Sequence, residues 1–217
     1  MRFQDRREAG RMLAEPLRAL QLDGELTDPV VLGLPRGGVP VGDEIARALH
    51  APLDVLVARK IGAPFNPELG LGAIAGEYPP IFDQRALAML DLTADRLAPQ
   101  VARERAELHR REDLYRGGRP APEVRNRTVV VVDDGLATGV TARAALRAVR
   151  AMGPDRLVLA VPVSSPQAAA ALRPEADLLV CLQQPPSFQG VSQWYQDFGQ
   201  LEDDEVIAIL RASAAAR

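Results

Sequence analysis

Cysteine is almost missing from this 217-residue chain: Cys181 stands alone, which excludes an internal disulfide and any zinc site built on paired cysteines. It sits in the apolar run LLVCL and reads as a buried structural thiol, not a nucleophile. Histidine is scarce as well; His50 and His109 fall in helical surroundings and read as surface residues. No apolar run approaches the ~20 residues of a membrane span. The opening MRFQDRREAG carries charge where a secretory signal needs an apolar stretch. Positive charge is not in excess: the formal net charge is -3, so no global basic field points to nucleic acid. Two nucleotide motifs are also missing. No lysine follows the glycines as a P-loop requires, and no G-x-G-x-x-G follows the first apolar run. With 47% hydrophobic and 25% charged residues, the expectation is a soluble cytoplasmic protein, residues 1–217 forming one domain without a membrane partner.

What is present alternates. Residues 5–21 carry Ala9, Met12, Leu13, Leu17 and Leu20 at helical spacing. PVVLGLP at 29–35 predicts a short buried strand, followed by a helix over roughly 41–49 and a second strand, LDVLVARKI, at 53–61. VVVVDD is a third strand, and TARAALRAVRAMGP a helix stopped by Gly153 and Pro154. LVLAVPV at 157–163, PQAAAALR and ADLLVCLQ at 176–183 continue as strand, helix and strand, and a terminal helix starts near 203. Nearly continuous apolar strands are buried on both faces, so the fold class is α/β, a mostly parallel sheet flanked by helices. Residues 62–127 interrupt the alternation. GLGAIAGEYPPIFDQ predicts a hairpin, and 93–116 a long arginine-rich helix. From 96 to 127 there are nine arginines against five acids. This predicts either an ion-paired, solvated face or an arm that closes over a polyanionic substrate.

The densest chemistry is VVVVDDGLATGVTA at 129–142. In parallel sheets, ligands gather at the carboxyl ends of strands, and two acids, Asp133 and Asp134, end this one. Ala137-Thr138-Gly139-Val140-Thr141 then opens a helix, whose free amides and dipole favour a phosphate. Two hydroxyls on a sugar suit the acids while its phosphate lies in the turn. Alternatively Thr138 or Thr141 caps the helix and Asp134 starts a turn. Capping alone does not call for paired carboxylates. After the first strand, Arg36-Gly37-Gly38 offers a forked donor and bare backbone suited to a diphosphate, or an ordinary strand-to-helix turn. Arg59 and Lys60 form a basic pair at the end of the second predicted strand.

VVVVDDGLATGVTA resembles the signature of the type I phosphoribosyltransferases, which use 5-phosphoribosyl 1-diphosphate (PRPP), with Gly135 where the family has an aliphatic residue. The resemblance implies phosphoribosyl transfer to a nitrogen nucleophile such as a nucleobase, with Mg2+ as cofactor, diphosphate as the leaving group and a homodimer as the assembly. It implies that Asp133 and Asp134 hold the ribose hydroxyls and meet the metal, directly or through water. Residues Gly135 and Ala137 to Thr141 then cradle the 5-phosphate. Arg36, Gly37 and Gly38, with a non-proline cis peptide at or near Gly37, face the diphosphate together with Arg59 and Lys60. It implies a flexible loop within 62–127, whose Arg103, Arg105, Arg110 and Arg111 are equivalent candidates for screening the leaving group. A C-terminal hood at 184–217 is implied too, in which Phe188, Trp194 and Tyr195 loosely match a base-stacking segment. The lysine that 6-oxopurine enzymes carry is missing from VPVSSPQ, so the acceptor stays open. The competing reading is a PRPP-binding regulator without catalysis; a metal-dependent hydrolase ranks last, for want of a nucleophile or ligand cluster.

Overall fold

The computed structural model describes residues 2–216, apart from the side chain of Glu68. Five parallel strands form the main sheet in the order β2-β1-β6-β7-β8: β1 Val30–Gly33, β2 Leu53–Val55, β6 Thr128–Val132, β7 Arg156–Val163 and β8 Leu178–Gln183. A separate antiparallel sheet holds β3 Ala58–Ala63, β4 Asn66–Ala75 and β5 Ile81–Phe82. The helices are α1 Arg6–Leu22, α2 Gly38–Leu49, α3 Gln84–Met89, α4 Ala98–Arg116, α5 Val140–Ala151, α6 Pro166–Leu172 and α7 Asp203–Ala215.

Strand periodicity decides the packing. Val31, Val130, Val132, Val158 and Ala160 bury one face of the sheet among α1, α2, α7 and Tyr115 of α4. Val30, Leu32, Val129, Val131, Leu157 and Leu159 bury the other among Ala145, Leu146 and Val149 of α5. Side chains of alternate parity point to opposite faces, so the valine run of β6 is apolar throughout because helices cover both sides. The α/β architecture expected from the sequence is the one observed.

One predicted strand is corrected. LDVLVARKI is not continuous: β2 ends at Val55, and after Leu56–Val57 the chain enters the second sheet, where Ala58 pairs with Ala75 and Lys60 with Ala73. Leu56 and Val57 are buried like their neighbours, so hydrophobicity carries no mark of the break. Arg59 and Lys60 therefore begin a strand of the antiparallel sheet instead of ending a parallel one. The hairpin predicted over 70–84 exists as the β4–β5 pair, its second strand only Ile81–Phe82. The arginine-rich segment is α4, preceded by a single 3-10 turn, Asp95–Leu97. Most of its basic side chains are spoken for. Arg105 donates to the carbonyls of Gly76 and Tyr78, Arg110 and Arg111 hold Glu107, and Arg116 holds Asp54. No helix among the described residues is long and apolar enough to cross a membrane.

Candidate functional site

The carboxyl ends of β1 and β6 are neighbours in the sheet, and their following loops meet. At the β6 end the Asp134 amide donates to Asp133 Oδ1 at 2.9 Å, fixing the first acid against the second. At the β1 end the loop is packed tightly on these acids, against a side chain at residue 37 and against backbone at residue 38. A Cβ at residue 37 would overlap the Asp134 carboxylate, and one at 38 would overlap the Val132 carbonyl oxygen. The non-proline cis peptide expected before or near Gly37 joins Pro35 and Arg36. The Gly38 amide is not free, as it donates to Leu34 O at 2.9 Å.

Below the acids the chain turns into α5. Leu136 N donates to Val163 O at 3.0 Å and Ser165 Oγ to Ala137 O at 2.7 Å, tying the turn to the end of β7. Gly139 then takes the left-handed conformation, φ 73°, and serves as the N-cap of α5 with no side-chain hydrogen bond. The first bond into the helix is Arg143 N to Gly139 O, so the amides of Val140, Thr141 and Ala142 precede the helical ladder and stay available to an anion. The threonine-cap alternative is not what forms. Thr138 is exposed and Thr141 half-buried, both on this open end.

Sequence reasoning missed Arg6. Its Nε lies 2.8 Å from Asp134 Oδ2, its Nη1 2.9 Å from the Gly199 carbonyl, and its guanidinium 3.9 Å from the centre of the Phe198 ring. The Tyr195 hydroxyl donates to the Asp134 carbonyl at 2.6 Å. A residue 128 positions away leaves no local trace in the sequence around the acids. Electrostatically the acids are unequal. Burial, then the charge of Asp134, pushes the Asp133 carboxyl well above the usual range. Burial also raises Asp134, but Arg6 opposes it. Burial and the nearby acids push the Tyr195 hydroxyl up, keeping it a donor.

Arg36 leaves the β1 loop toward the start of α7. Its Nε meets Asp203 Oδ1 at 2.9 Å and its Nη1 the Leu201 carbonyl at 2.7 Å. Arg59 pairs with Glu104 of α4 at 2.7 Å. Lys60, the one lysine of the sequence, runs alongside Gly70 of β4. Phe188 and Trp194 pack partly buried around the Phe3–Tyr195 core with Val163. Gly135 touches this segment: a Cβ there would lie 2.6 Å from Val191 Cγ1. The structure thus brings together Asp133, Asp134, Gly37, Gly38 and the 137–141 turn, with Arg36 at their edge. Arg59 and Lys60 stand on another sheet.

Among the described residues no three His, Cys, Asp or Glu side chains converge as a metal cage. Mg2+ asks for less, usually one or two carboxylates, waters and the phosphates of its substrate. Asp133 and Asp134 fit that partial role.

The sequence profile of the phosphoribosyl transferase domain matches residues 7–197. A Mycobacterium tuberculosis protein named as a candidate phosphoribosyl transferase is 46% identical over 208 residues, 96% of this chain. The chain spans about half the length of that curated relative, 46% of it. Protein TT1426 of Thermus thermophilus, known from its crystal structure, is 47% identical over 97% of this chain and 98% of its own, with a TM-score of 0.81. A hypothetical protein from Neisseria gonorrhoeae, solved with bound ppGpp, shares the fold at 16% identity over 98% of each chain, with a TM-score of 0.54.

Proposed function

The chain belongs to the phosphoribosyl transferase family, and from that premise we propose that it transfers the phosphoribosyl group of PRPP to a nitrogen nucleophile, a nucleobase or similar small acceptor, with release of diphosphate. The observation that carries this reading is the juxtaposition at the end of β6: two carboxylates, then a helix start whose amides no side chain caps.

In this reading Asp133 and Asp134 accept hydrogen bonds from the ribose hydroxyls, and the turn 137–141 takes the 5-phosphate on the amides of Val140, Thr141 and Ala142 with the threonine hydroxyls beside them. Held at both ends, the sugar is oriented as the bond from its anomeric carbon to diphosphate breaks and positive charge develops there. In this arrangement the acids' negative charge favours that developing charge, while Arg36 and the Gly37 backbone meet the departing diphosphate. Mg2+, when bound, neutralises diphosphate charge, with Asp133 and Asp134 as its contacts, directly or through water. Arg59 and Lys60 belong to the proposal as further basic residues for the leaving group, and Phe188 and Trp194 as the acceptor side. The reading includes a role in nucleotide metabolism in the cytoplasm.

The test is incubation with PRPP, Mg2+ and a panel of nucleobases, monitoring diphosphate, with calorimetry of PRPP binding alongside. Binding with turnover on one acceptor is expected, and Asp134→Asn should lose both. Binding without turnover on any acceptor would favour the regulator. No heat of PRPP binding would remove the assignment.

A further inference from the structure

Asp203 opens α7, and its Oδ1 collects two donors from two different elements: Arg36 Nε of the β1 loop at 2.9 Å and the Tyr115 hydroxyl of α4 at 2.5 Å. Tyr115 is buried, and one turn back on α4 stands Arg111, paired with Glu107. Arg36 also donates to the Leu201 carbonyl. Two residues earlier, the Gly199 carbonyl takes a bond from Arg6, whose Nε is on Asp134. The stretch Phe198–Asp203 is therefore fastened at one end to a residue holding the ribose acid and at the other to the arginine of the diphosphate loop. A carboxylate stands where basic and hydroxyl donors from the β1 loop and α4 converge on the α7 start.

Resting on the phosphoribosyl reading above, we propose that Asp203 is the resident counter-anion of the diphosphate subsite. Diphosphate takes over Arg36 Nε and the Tyr115 hydroxyl from the Asp203 carboxylate, Arg111 joins them, and the stretch Phe198–Asp203 loosens as this happens. Charge decides the direction of exchange. Diphosphate brings more negative charge to these donors than one carboxylate does, and an Asp203 that stayed in place would repel it. The α4 arginines then divide their roles: Arg105 supports the β4–β5 turn, while Arg111 leaves Glu107, its partner in this structure, to join the anion.

The experiment is calorimetric titration of the full chain with magnesium diphosphate and, separately, with magnesium PRPP, for wild type, Asp203→Asn and Asp204→Asn. Asparagine at 203 keeps an oxygen for Tyr115 and removes the charge. Asp204 is an exposed acid in the same helical turn, so its variant carries the same change in net charge. Asp203→Asn should tighten both ligands about tenfold, the order of one nearby like charge at a half-exposed site, and Asp204→Asn should do far less. Backbone amides of 199–203 should exchange faster with ligand bound. Equal gains in both variants would reduce the effect to net charge and overturn the proposal. Weaker binding in Asp203→Asn would make Asp203 a positioning residue for Arg36, and slower exchange at 199–203 would make the stretch a cover; either result overturns it. If wild type binds neither ligand, the phosphoribosyl reading falls first. If wild type binds PRPP and the variant binds no better, only Asp203's role falls.

Discussion

Arg6 Nε stands 2.8 Å from Asp134 Oδ2, and the two side chains are only 13% and 15% exposed. This one contact joins the first turn of α1 to the end of β6 and, through Gly199 and Phe198, to the C-terminal stretch. Removing one partner of a buried pair leaves the other uncompensated. Arg6→Ala should cost about 1–3 kcal/mol of folding free energy, below the fully buried case because some solvent reaches both groups. It should also weaken PRPP binding by releasing Asp134. Arg6→Lys should recover only part of each, since an ammonium cannot donate to Asp134 and Gly199 while lying flat on Phe198. Urea titration and calorimetry read the two effects separately.

Gly37 and Gly38 should respond differently to alanine. At 37 the obstructing atoms belong to the Asp134 carboxylate, a side chain that can shift at the expense of its contact with Arg6; at 38 they belong to the backbone of Val132 and Asp133, which cannot shift without moving the strand end. Gly37→Ala is expected to cost about 1 kcal/mol, by drawing the Asp134 carboxylate off Arg6, and to lose PRPP affinity, because the moved carboxylate is the proposed ribose ligand. Gly38→Ala is expected to cost about 1–3 kcal/mol through displaced β6 backbone. Equal stability losses in the two variants would contradict this division.

The acid pair gives a pH signature. Asp133 is raised in the folded protein by burial and by Asp134. A carboxyl whose folded value lies above its unfolded one favours folding fully below the unfolded value, and that contribution is lost as pH rises through the folded value. Wild type should therefore lose stability relative to Asp133→Asn as pH climbs from about 4 toward neutrality. At neutral pH the variant should melt at a higher temperature than wild type and bind PRPP less well. Melting curves across that range check the sign. A gain in stability combined with a loss of binding is the mark of a charge kept for a ligand.

The parts legible in the sequence were those with local causes. Four valines ending in two acids predict a strand covered on both faces and a polar rim, and both exist. The glycines of the β1 loop predict close approach, and the overlaps at 37 and 38 explain why. LDVLVARKI misled because Leu56 and Val57 are as buried as a strand interior while the chain changes sheets there. Both Arg6 on Asp134 and Arg36 on Asp203 are ion pairs between residues more than a hundred positions apart; residue spacing holds no information on such pairs until the sheet has formed. The aromatic stretch 188–198 showed its composition but not its burial, because Phe3, from the opposite end of the chain, supplies the core it packs on.

Gly135 turns a departure from the family pattern into a test of how the C-terminal stretch is seated. An aliphatic side chain there would meet Val191 Cγ1 at 2.6 Å, Val191 Cγ2 at 2.9 Å and Val163 Cγ1 at 3.1 Å. Val191 begins the turn Val191–Trp194, which leads into Tyr195 and its bond to the Asp134 carbonyl. The glycine thus leaves room for a valine from the C-terminal stretch to reach the strand ends of β6 and β7. Gly135→Val should cost about 1–3 kcal/mol by overpacking and displace the 191–195 stretch. Adding Val191→Ala should return a substantial part of that loss, so that the double variant is more stable than the sum of the single ones. Denaturant titration of the four proteins measures this coupling. If the two substitutions simply add, Val191 does not occupy the space that Gly135 leaves, and the C-terminal stretch is seated on the sheet in some other way.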